Sequence, residues 1–107
     1  MKKLSKWQES KKKSYGTAAP YRSRIDESGD EVATIWTGLS IGNFIMRTGP
    51  YLFAEYTIVE AVPNGIDPII HREVFACGIG SEGFAGCKVK ATEAADKKLI
   101  ELGYELE

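Results

Sequence analysis

Cysteine is scarce in this chain, with only Cys77 and Cys87 among 107 residues, and histidine scarcer still, with His71 alone. A secreted domain of this size often carries several disulfides, so the pair reads as two reduced thiols of a cytosolic-type protein, a bridge in an oxidising compartment being the alternative. One histidine and two cysteines without a CxxC pair make no zinc cage; no metal and no cofactor is expected. Long apolar runs are also missing. None approaches the ~18 residues that would mark a membrane span. The start, Met1-Lys2-Lys3 followed by Leu4 to Glu9, places charges where a signal peptide has its apolar core. The expectation is a cytoplasmic chain with no membrane partner.

Catalytic signatures are absent too: there is no HExxH, no Walker loop and no serine-nucleophile pattern. His71, Glu73 and Cys77 alternate onto one face of an expected strand. Six residues of strand separate His71 from Cys77 by roughly 20 Å, beyond the reach of a nucleophile and its base. Gly78-Ile79-Gly80-Ser81-Glu82-Gly83 fits G-x-G-x-x-G, but a dinucleotide fold needs a further parallel strand and an acid about 20 residues on. Too little chain follows Gly83 to supply both. A bent strand end or tight turn is the simpler reading, and the chain is not expected to be an enzyme.

What the chain does have is a division of charge. Up to Arg24 it carries eight basic residues (Lys2, Lys3, Lys6, Lys11, Lys12, Lys13, Arg22, Arg24) against one acid, Glu9, a net of +7; the remainder nets −8, which reproduces the overall −1. A basic arm on an acidic body is an asymmetry that points to a polyanionic partner. The arm interleaves its cations with Trp7, Tyr15 and Tyr21. Cations neutralise phosphates, and aromatic rings stack on exposed bases.

Local patterns predict one α+β domain over residues 21–107 behind a basic, partly flexible arm over 1–20, in which a turn or two of helix through Leu4, Trp7 and Gln8 is allowed. Tyr21 to Ile25 and Val32 to Thr37 read as a hairpin about the turn cluster Asp26 to Asp30. Leu39 to Arg47 fits either a strand or a weak helix broken by Gly42. Tyr51 to Val62 is the longest β signal, apolar on both faces and therefore inside a sheet. Pro63 to Pro68 is a turn around Asn64-Gly65, and Ile69 to Cys77 returns antiparallel. A helix from Lys88 to Leu102 presents Ala91, Ala95, Leu99 and Leu102 as one buried stripe, with Gly103 placed for a left-handed C-cap. The fold class is an antiparallel sheet of four or five strands with one C-terminal helix packed on one face. The expected core is Val32, Ile35, Trp36, Phe53, Ile58, Val74 and the helix stripe.

Glu55 to Glu60, Glu73-Val74-Phe75 and the helix start Gly86-Cys87-Lys88-Val89-Lys90-Ala91-Thr92-Glu93-Ala94-Ala95 resemble, in that order, the first strand, second strand and second helix of a double-stranded RNA-binding domain. The resemblance covers roughly the last half of the chain. It implies duplex-RNA binding through the helix-start lysines and a first helix at Leu39 to Arg47. The closing stretch Ala91 to Glu105 is also similar to the final helix of small phage single-strand annealing proteins, which implies single-stranded DNA as the partner. Both resemblances and the charge division lead to one expectation: a non-catalytic nucleic-acid-binding protein using Lys11, Lys12, Lys13, Arg22, Arg24, Lys88, Lys90 and Lys97. The alternative is a small protein-interaction module or inhibitor, of phage or plasmid type, that docks on a host protein through its acidic body.

Overall fold

The computed structural model describes residues 2–40, 51–60, 68–77 and 83–107. Its elements in chain order are β1 (Lys3–Leu4), β2 (Gln8–Glu9), β3 (Ala18–Ile25), β4 (Glu31–Ser40), β5 (Tyr51–Val59), β6 (Ile69–Cys77), α1 (Gly83–Glu101) and β7 (Glu105–Leu106). Five strands form one antiparallel sheet in the order β2-β3-β4-β5-β6, and β1 pairs in parallel with β7 as a separate two-stranded ribbon. The helix lies across one face, chiefly over β5 and less over β6 and β4. This is the expected α+β class, with five strands in the main sheet.

The hairpin β3–β4 turns where Asp26 makes it turn. The Asp26 carboxylate accepts the backbone N–H groups of Ser28 and Asp30 at 2.9 and 3.0 Å, and Gly29 takes φ 90°, a conformation that costs glycine nothing. Along β4 and β5 the side chains alternate. Ala33 and Ile35 face the helix with their β5 partners Ile58 and Tyr56, and all four are buried. The other face is polar and internally bonded. Ser23 donates to Thr34 at 3.0 Å, Trp36 Nε1 to Thr57 at 3.0 Å, and Arg72 pairs with Glu55 at 2.8 Å. Gly38 stands opposite Phe53 on that face. A Cβ at Gly38 would come within 2.8 Å of the Phe53 ring and 2.6 Å of the Thr17 carbonyl oxygen, so only glycine lets the ring and this backbone approach.

The helix buries Cys87, Ala91, Ala95 and Leu99, a stripe at i, i+4, i+8 and i+12 that starts one turn before the expected one. Small residues at its first three positions let the helix lie close on the sheet. The helix ends in a Schellman cap. Tyr104 N–H reaches the Leu99 carbonyl and Gly103 N–H that of Ile100, both at 3.0 Å, with Gly103 at φ 92°.

Several expectations are corrected. The helix runs from Gly83 to Glu101 rather than Lys88 to Leu102. Leu102, beyond its end, is 39% exposed, and Val74 on the outermost strand is 47% exposed, so neither belongs to the core. Trp36 and Phe53 are only half-buried. Leu39 and Ser40 are strand, part of β4, whereas the rest of the Leu39–Arg47 stretch, the Asn64-Gly65 turn and most of the Gly78–Gly83 link lie outside the described residues. Cys87 is disulfide-bonded and not a free thiol; the chain's other cysteine is Cys77.

Residues 2–9 enter the fold as extended chain and not as helix. Leu4 is wholly buried in the core, Lys3 and Leu4 pair with Glu105 and Leu106, and Gln8 and Glu9 pair with Ser23 and Arg22. What fastens them is Arg24. Its guanidinium binds Asp96 of α1 through two nitrogens, at 3.0 and 3.3 Å, and donates to the Ser5 and Glu107 backbone oxygens at 2.7 and 3.1 Å. Its carbon sits 5.0 Å from the Trp7 ring centroid, and Trp7 Nε1 donates to the same Asp96 carboxylate at 3.0 Å. Removing one partner of a buried ion pair strands the other charge, at a cost of 3–5 kcal/mol. With the Asp96 side chain 30% exposed, Asp96→Ala is expected to cost about 2–3 kcal/mol, read as a lower denaturant midpoint in urea unfolding. An unchanged midpoint would show that Arg24 is held well enough by backbone oxygens and Trp7 alone.

Candidate nucleic-acid interface

Tyr21 owes its position to an irregularity in β3. Pro20 pairs with Trp36 and Arg22 with Ile35, leaving Tyr21 as the extra residue of a bulge. Bulges re-aim side chains at sheet margins, and this one brings Tyr21 beside the helix face that carries Lys88. The Lys88 ammonium is 4.4 Å from the Tyr21 ring centroid, and the Arg22 guanidinium carbon is 5.1 Å from it. Both are cation–π distances. Among the described residues neither cation is in an ion pair.

Around this cluster lie two depressions that share Tyr21 and Arg22 as a common wall. One, of about 330 Å³, is bounded by Trp7, Lys88, Val89, Thr92 and Glu93; the other, of about 490 Å³, by Glu9, Ser10 and Pro20. Trp7, Tyr21 and Val89 give the first an apolar lining, and Glu93 adds one carboxylate to its rim. A depression of about 360 Å³ elsewhere, between Ile70 and Tyr104, sets Lys2 against Glu60. Another of about 320 Å³ holds Arg72 already paired to Glu55. Among the described residues, only the Tyr21 region gathers cations outside ion pairs around an aromatic ring.

Electrostatics mark the same spot. The Tyr21 hydroxyl is more acidic than an ordinary tyrosine, chiefly because Arg22 hydrogen-bonds to it; partial burial opposes the shift, while the charges of Arg22 and Lys88 reinforce it. Tyr56 moves the other way, raised by burial and by its hydrogen bond to Glu73, which leaves a neutral phenol inside the core.

The eight cations expected to form the site divide as follows. Arg22 and Lys88 meet at Tyr21. Arg24 does not join them, because Asp96, Ser5 and Glu107 occupy it. Lys90 is exposed, but two residues along a helix is a turn of about 200°, which carries it away from Lys88. Lys97 is likewise exposed on the outer side of α1. Lys11, Lys12 and Lys13 follow β2, where Glu31 of β4 accepts the Ser10 hydroxyl and the Lys11 N–H at 2.9 and 3.0 Å, so this lysine run leaves from the wall of the second depression. In the sequence, Trp7 and Tyr21 stand out only as aromatic neighbours of the arm's cations. The bulge that makes Tyr21 central has no signature in the sequence.

No group of histidine, cysteine and carboxylate side chains among the described residues could hold a metal ion, and no described helix is long and apolar enough to cross a membrane. No family model, curated protein or solved structure is significantly similar to the chain.

The phenol shift is testable. Tyr21 is expected to ionise below the ordinary tyrosine value in an ultraviolet titration, the low component vanishing in Tyr21→Phe. Arg22→Ala should return it upward, and Lys88→Ala should do so by less. Because the folded-state pKa is lowered, the associated stability is present above the ordinary tyrosine pKa and is lost as pH falls through the Tyr21 value. An unmoved Tyr21 transition in Arg22→Ala would rule out the hydrogen bond as the main cause.

Proposed function

We propose that this protein is a non-catalytic nucleic-acid-binding protein whose contact surface is centred on Tyr21, Arg22 and Lys88. One observation carries the reading: two cations from separate elements converge on one aromatic ring, with no carboxylate partner among the described residues, where two depressions share Tyr21 and Arg22 as a wall. Phosphates are bound by such paired cations with release of counterions, and aromatic surface next to them accepts bases by stacking. Of the two partners the sequence raised, single-stranded nucleic acid suits this geometry better than duplex RNA. A single strand can turn a base toward Trp7 and Val89 while its phosphate meets Arg22 and Lys88; a duplex keeps its bases stacked inside. Lys11, Lys12 and Lys13 lie where the neighbouring phosphates of a strand crossing the second depression would pass. Arg24 has a structural task and leaves the set, and Lys90 and Lys97 add only diffuse positive potential.

Fluorescence-anisotropy titrations with labelled single-stranded DNA, single-stranded RNA and duplex RNA across a salt series test this. Binding should weaken with salt, and Arg22→Ala/Lys88→Ala should weaken it at least tenfold. Each lost phosphate contact on a single strand lowers the log–log salt slope by roughly 0.7, so the double variant should lose about 1.4 in slope. Lys97→Ala should change little. Binding unaffected by the double substitution would sink the assignment of this site. No binding to any of the three at low salt would sink the function, and would turn attention to a protein partner for the acidic body.

A further inference from the structure

The two edges of the five-stranded sheet are built differently. On one side the margin is broken up: β2 has two residues, and β3 carries Pro20 and the bulge at Tyr21. Short strands, proline and bulges are the usual protections of an edge. On the other side β6 runs nine residues, Ile69–Cys77, with no proline, glycine or lysine. No strand among the described residues pairs with its outer side, which therefore offers the N–H and C=O groups of an extended chain. Its bulge lies at the beginning, where Val59 pairs with Ile69 but Ile58 with His71. The two charged residues of β6 are engaged by β5, although the Arg72 side chain is still 61% exposed. Arg72 is bound to Glu55 at 2.8 Å and Glu73 to the Tyr56 hydroxyl at 3.2 Å. Ile69 and Val74 stand 57% and 47% exposed. The edge is extended and partly apolar.

We infer that the outer edge of β6 pairs with β6 of a second copy of this chain, antiparallel and centred on Val74. An open backbone edge selects an extended strand as its occupant. A two-fold axis normal to the sheet keeps each face continuous, so a residue must sit opposite itself at the centre. Centring on Arg72 or Glu73 would set like charges face to face, which destabilises a pair of strands. Centring on Val74 sets it against its own copy, Glu73 against Phe75 and Arg72 against Ala76. No like charges then stand directly opposite one another, and the pairing reaches from His71 to Cys77. The axis also leaves both helices on one face of a continuous sheet. The two Tyr21 clusters would then share that face, their β3 strands seven strand spacings, or about 34 Å, apart along the sheet. That consequence rests on the nucleic-acid reading; the association does not.

Sedimentation velocity of the intact chain across the micromolar range is the test, with hydrogen exchange of the β6 amides measured at the two ends of that range. The expected result is a dimer that dissociates on dilution, with β6 amides better protected at high concentration. Val74→Lys, a change at a half-exposed position, should weaken association at least tenfold while circular dichroism and the unfolding midpoint stay near those of the parent. A monomer at every concentration overturns the inference, even if some other strand is later found on the edge. So does a dimer that Val74→Lys leaves intact, or one whose β6 amides gain no protection.

Discussion

The arrangement depends on one buried cation. Arg24 lies in the middle of the fold with Asp96 as its counter-charge, and its remaining donors go to the backbone near both ends of the chain. A guanidinium suits this position because it offers several N–H groups in one plane and a flat surface for the Trp7 ring. With Arg24 satisfied, the first turnless stretch of chain, the closing strand β7 and the helix α1 hold a common geometry. Leu4 can then be buried between them. The same pair fixes the rotation of α1 about its axis. Asp96 and Lys88 are eight residues apart and share a flank of the helix, so anchoring Asp96 to Arg24 aims Lys88 at Tyr21.

Two kinds of arginine therefore stand two residues apart on one strand. Arg24 is desolvated and spent on architecture; Arg22 is exposed and has no carboxylate partner among the described residues. Their difference comes from the neighbours that the tertiary fold supplies, an aspartate for one and a tyrosine and a lysine for the other. The positive half of the charge division is thus partly internal to the fold. Of the other seven basic residues in that half, Arg22 stands at the Tyr21 cluster, Lys11, Lys12 and Lys13 follow β2, and Lys2, Lys3 and Lys6 are exposed along the stretch before it.

The sheet has comparable asymmetry between its two faces. The helix side is apolar and closed by α1, while the other is held by hydrogen-bonded polar pairs such as Ser23 with Thr34. The tight approach of the Phe53 ring to Gly38 belongs to that second face. β5 therefore shows apolar residues on both sides without being a strand buried equally on both. Asymmetry recurs between the margins, one broken by a bulge that serves the candidate site and the other left long and regular.

By itself the sequence determined the class and most of the elements: β-branched and aromatic runs for β4 to β6, the Asp26–Asp30 turn, and the alanine stripe with its glycine cap for α1. Those are local properties, set by side-chain alternation, φ preference and helical period, and they survive whatever packs against them. The structure decided what depends on distant partners. Whether Leu4 and Trp7 belong to a tail or to the core turns on Glu105, Leu106 and Asp96, which lie 89 to 102 residues further along the chain from their partners. Val74 and Leu102 fit an apolar pattern, yet lie at an edge strand and past a helix end where nothing described covers them. Arg22, Arg24 and Lys88 are alike as cations in a sequence. A bulge, a buried carboxylate and the rotation of one helix gave them different work, because burial and electrostatic partnership are properties of the packed molecule and not of the residue.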